Sequence, residues 1–94
     1  MFKKNNDNLN QVLELLRAEK PQEAQTIFNE IVPVNTIEYL MVLGKLEQKF
    51  QNWGKAINAF SKVTELDPEN VEAQNHLNMI QNILNFWNPE MFNP

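Results

Sequence analysis

Small and large apolar residues recur in this chain in a repeated order, and that repetition limits the folds open to it. Ala24, Phe28 and Ile31 return as Ala56, Phe60 and Val63, while Ile37 and Leu43 return thirty-four residues later as Val71 and Leu77. A period of this length marks stacked supersecondary units, each too small to bury its apolar face alone. Within each unit the intervals are three and four residues, so the units are helical. No segment alternates with period two, and no strand is expected.

Turn signals divide the chain into five predicted helices. Leu9, Val12, Leu13, Leu15 and Leu16 give a broad apolar face to a first helix over residues 8–19. Pro21 suits the first turn of a second, where a missing N–H is harmless; that helix presents Ala24, Ile27, Phe28 and Ile31 before Pro33 stops it. Asn35 or Thr36 can accept an orphan N–H at the head of a third, with Glu38 at the capping-box interval from Asn35. It runs to about Phe50. After a turn at Gln51 and Asn52, the residues Trp53, Ala56, Ile57, Phe60, Val63 and Leu66 form the buried stripe of a fourth helix. Asp67-Pro68-Glu69-Asn70 closes it and caps a fifth, from about Val71 to Asn85. Phe86 to Pro94 form an aromatic tail with two Asn-Pro turns.

Ninety-four residues, 43% of them hydrophobic, make one small domain. A domain of that size buries only about 60 to 65% of its unfolded surface. With no cysteine, the chain has neither disulfides nor thiolate metal sites, and it fits a reducing compartment. The basic start from Met1 to Asn6 runs straight into Asp7, Asn8 and Asn10, so no signal peptide is expected. No stretch approaches the roughly twenty apolar residues that cross a bilayer, which leads us to expect a cytoplasmic protein without a membrane partner. A net charge of -4 points away from nucleic acid, where clustered Lys and Arg supply the affinity.

The series Leu40-x2-Leu43-Gly44-x2-Glu47, then Ala56-x3-Phe60-x2-Val63 and Pro68, resembles the tetratricopeptide repeat family over residues 37–70. The resemblance implies an all-α fold of two helical hairpins plus a C-terminal capping helix, five helices in one domain spanning 1–94. Residues 5–36 look like a degenerate first repeat, with Val12 where the family prefers glycine. Residues 37–70 are the well-matched second repeat, 71–87 the capping helix and 88–94 the aromatic tail. Glycine inside a helix costs about 1 kcal/mol relative to alanine. Gly44 therefore calls for a close approach of the paired helix, expected near Ala56. Leu40 stands where the family often has tryptophan, Glu47 where it prefers tyrosine, and Gln51 where a glycine usually opens the turn. The Glu47 carboxylate must then reach solvent or find a partner, with Leu46 taking over the packing.

By the same resemblance the chain is a non-catalytic module that binds a peptide or protein segment along a concave surface, lined by the first helix of each hairpin. That projection brings Leu9, Leu13, Leu16 and Arg17 together with Met41, Lys45, Gln48 and Lys49, and with His76, Met79, Asn82 and Ile83. The candidate partner-binding residues are Leu9, Leu13, Arg17, Met41, Lys45, Lys49, His76, Met79 and Ile83, with Met41 and Ile83 expected to be accessible. Leu9 and Met41 occupy places where chaperone-binding relatives need polar groups. Lys45 and Lys49, one turn apart, suit an acidic peptide or else balance Glu38 and Glu72. The alternative is self-association, a weak homodimer through the groove or the tail.

The fifth helix carries an apolar arc of Ala73, Leu77, Ile80, Leu84 and Trp87, flanked by His76, Met79, Ile83 and Phe86. Asn75, Asn78, Asn82 and Asn85 line its other side, either gripping a partner's backbone or facing water. Phe86, Trp87, Met91 and Phe92 need cover from the chain's own stack, a second copy or another protein. His76 has Glu72 one turn before it but no nucleophile, so it reads as an exposed histidine. Two ligands do not make a zinc site. No catalytic residue, cofactor or metal is expected.

Overall fold

The computed structural model describes residues 2–87, with side chains over 7–86. Five helices follow one another: α1 (Phe2–Arg17), α2 (Pro21–Phe28), α3 (Ile37–Lys49), α4 (Trp53–Leu66) and α5 (Val71–Trp87). There are no strands among the described residues, so the chain is all-α. The expectations for the Trp87 side chain and for residues 88–94, Met91 and Phe92 among them, lie outside the described residues.

Successive helices pair. α1 packs on α2, α3 on α4 and α4 on α5, while α1 and α2 both also touch α3. One core runs through all five, built from Leu9, Val12, Leu16, Ala24, Phe28, Leu46, Phe60, Val63, Ala73 and Ile80. Within α1, α2, α4 and α5 its residues recur three, four or seven apart, the spacing that keeps one face inward, while α3 adds the consecutive Tyr39, Leu40, Met41 and Val42.

The two short turns share one hydrogen-bond pattern. At the end of α1 the Lys20 N–H donates to the Leu15 carbonyl at 2.9 Å and that of Glu19 to Leu16 at 3.1 Å. At the end of α3 the Asn52 N–H donates to Glu47 at 2.8 Å and that of Gln51 to Gln48 at 2.9 Å. These are the paired bonds of a Schellman motif, which needs a left-handed residue just past the helix. Glu19 and Gln51 fill that place, each with φ of 60°. Glycine is favoured there because it adopts positive φ without a Cβ clash.

Caps set the other ends. The Thr36 hydroxyl accepts the Tyr39 N–H at 3.2 Å, so Thr36, and not Asn35, heads α3. Asn70 Oδ1 accepts the Ala73 N–H at 2.9 Å at the head of α5. α2 ends at Phe28, earlier than Pro33 suggested, but Ile31 still reaches the core from the following link. Phe28 stacks on Tyr39 with ring centroids 4.9 Å apart, tying the end of α2 to the start of α3. Leu66, expected in the buried stripe of α4, is 47% exposed at the last residue of that helix.

Gly44 sits in a close helix contact, with a different neighbour from the one expected. A Cβ there would lie 2.6 Å from both Cε1 and Cζ of Phe60, on α4. The fully buried Phe60 ring, rather than Ala56, is what requires the glycine. Glu47 finds the partner it needed, its Oε1 accepting from Asn52 Nδ2 at 2.8 Å.

Candidate functional site

Three helices form one wall of the molecule. Lys49 at the end of α3 pairs with Glu19, just past the end of α1, at 2.7 Å, so these two helices finish together. Lys45 of α3 pairs with Glu72 of α5 at 2.7 Å, and Gln48 hydrogen-bonds His76 at 2.9 Å. Residue numbers rise together along both helices, so α5 runs beside α3 in the same direction.

A groove of about 740 Å³ opens across this wall. Leu9, Leu13, Ile37, Met41 and Val42 supply its aliphatic lining; Asn10, Glu38, Lys45, Asn70 and Glu72 supply its polar edge. A second depression of about 240 Å³ shares Leu13 and Lys45 with it and adds Leu16, Arg17, Glu19 and Lys49. A third, also about 240 Å³, shares Glu72 and adds Asn75, His76 and Met79 along α5.

The sequence-predicted residues fall into this series, with Ile83 as the exception. Leu9, Leu13, Met41 and Lys45 line the first depression, Arg17 and Lys49 the second, His76 and Met79 the third. Ile83 is half-buried and lies in none of the three. The expected accessibility of Met41 is corrected, since only 8% of it is exposed. Leu40, Met41 and Val42 are all buried because α1, α2 and α4 cover α3 from different sides. A run of consecutive apolar residues in a helix was the signal for this, since a stripe on one face cannot include neighbours in sequence.

Lys45 and Lys49 are not a free pair awaiting an acidic peptide. Lys45 does balance Glu72, as the alternative held, but Lys49 answers Glu19 and not Glu38. Glu19 was missed because its role comes from the turn geometry that places it beside α3, which no local pattern encodes. The four asparagines of α5 are exposed, and Asn85 accepts from Gln81 Nε2 at 3.2 Å within the same helix.

His76 is half-buried, which corrects the expectation of an exposed histidine. Its ring stacks on Phe60, with centroids 4.6 Å apart and planes 7° from parallel. An amide oxygen can only accept, so the bond to Gln48 Oε1 puts the proton on His76 Nδ1. Nε2 then faces Glu72 at 4.0 Å. Burial, followed by the charge of Lys45, pushes the His76 pKa down; Glu72 opposes them. The balance favours the neutral imidazole, which packs on α4 and hydrogen-bonds α3. Among the described residues no three His, Cys, Asp or Glu side chains gather as metal ligands, and no helix is long and apolar enough to cross a membrane.

Compared with protein families, curated proteins and solved structures, the chain finds no match in any of the three.

Proposed function

We propose that the chain is a non-catalytic interaction module of tetratricopeptide type, whose groove along α1, α3 and α5 takes a peptide segment of another protein. The observation that carries this reading is the run of depressions on one face, linked through Leu13, Lys45 and Glu72, the first two of them lined by aliphatic side chains. An apolar trough edged by a few polar groups is the usual form of a recognition site. The helix pairs and the two matching turns support the repeat arrangement.

A partner segment identified by affinity capture and added to the isotope-labelled chain tests this. The amide signals of Leu9, Leu13, Lys45 and His76 are expected to move. Shifts confined to Thr26, Asn58 and Lys62, exposed on α2 and α4, would reject the groove.

A further inference from the structure

We infer that the segment this groove accepts carries lysine or arginine beside its apolar residues, an inference that rests on the groove being the binding site. Of the charged groups around the large depression, Lys45 is engaged with Glu72 at 2.7 Å. That leaves Glu38, exposed in the first turn of α3 and without an ion pair among the described residues. The lining of this depression is thus aliphatic with one carboxylate outside any ion pair at its edge, while Arg17, a cation outside any ion pair among the described residues, lines the second depression toward the other end of α1.

The surroundings of this end extend the same sign. Between Lys20 and Lys45, and from Lys62 onward, the sequence has no Lys or Arg. The links that lead into α3 and α5 therefore bear carboxylates alone: Glu30 on one, Asp67 and Glu69 on the other. Both links end at the groove, because Ile37 and Glu38 follow the first, Asn70 closes the second, and all three residues line the depression. Lys3 and Lys4 belong to the first turn of α1, ahead of Leu9. Aliphatic surface continues beyond the groove at Val34 and at Val71, which is 63% exposed.

Apolar side chains next to unpaired carboxylates are complementary to aliphatic residues interspersed with cations. Such complementarity selects partners and speeds their encounter. The net charge of -4 acts in the same direction at long range, drawing cationic segments and repelling acidic ones.

Two short synthetic peptides with the same leucines, one interspersed with arginine and the other with glutamate, separate the outcomes when each is titrated into the full labelled chain. The arginine peptide is expected to move the amides of Leu9, Ile37, Glu38 and Val71 and to bind at least about tenfold more tightly than the glutamate peptide, less so as salt is raised. Glu38→Gln should weaken it roughly two- to fivefold, the range of an exposed ion pair. Equal or tighter binding of the glutamate peptide at those residues would overturn the inference and leave the groove standing. Arginine-peptide shifts limited to Glu65, Asp67 and Glu69 would also overturn it. If neither peptide moves any groove amide, the groove reading fails and the inference with it.

Discussion

His76 shows how one side chain can join three elements. It belongs to α5, stacks on Phe60 of α4 and donates to Gln48 of α3, and burial together with Lys45 disfavours its charged form. With the folded pKa below 6.5, the unfolded chain takes up a proton at a pH where the folded chain still refuses it. The stabilising contribution is therefore complete above about pH 6.5 and is lost as the pH falls through that value toward the folded pKa. Denaturant unfolding at a series of pH values should show this loss in the native chain, and His76→Gln should flatten it in that window. Equal pH slopes for the two proteins would mean that His76 titrates alike folded and unfolded. The sequence showed His76 with Glu72 one turn away, because that spacing is local. It did not show Gln48 or Phe60, which reach the ring only after α3, α4 and α5 pack.

The same division between local and long-range information holds for the elements. Five helices and the apolar faces of α1 and, apart from Leu66, α4 were legible from intervals of three and four, the cap of α5 from the segment Asp67-Pro68-Glu69-Asn70, and Pro21 marked the start of α2. The end of α2 was not, because Ile31 is apolar for a core it reaches from a link and not from a helix. The burial of Met41 was equally hidden to a reading that allowed α3 a single inward face. What holds α3 and α4 together is most exposed at Gly44, where the Phe60 ring occupies the place of a side chain. Gly44→Ala gains about 1 kcal/mol of helix propensity. The added methyl meets a ring with no room to retreat, so a net loss of about 1 to 3 kcal/mol is expected from thermal or denaturant unfolding. In a Phe60→Leu background the same alanine should cost less, because the clash is with the ring. An alanine that stabilises the native chain would show that the two helices are not held in contact there.

Across the whole molecule, packing and charge divide the labour. A single core through all five helices sets α1, α3 and α5 side by side, and the Glu19–Lys49 and Lys45–Glu72 pairs bind that wall at its surface. Exposed pairs of this kind each contribute on the order of 0 to 1 kcal/mol, so they align helices that the core already holds. The resulting groove combines an aliphatic lining with few free charges, and the proposed binding of a partner segment rests on this combination more than on any one residue. Leu13 tests the claim most directly, since it is half-buried and shared by the two depressions between α1 and α3. The decisive measurement is the affinity of a captured partner segment for Leu13→Gln against the native chain, with Lys62→Gln, exposed in a separate depression between α3 and α4, as the control and melting recorded for all three. A loss of about tenfold or more for Leu13→Gln is predicted, in line with burial of one leucine, with little change for Lys62→Gln and melting that keeps every chain folded at the assay temperature. Native affinity in Leu13→Gln, with binding lost instead in Lys62→Gln, would contradict the account.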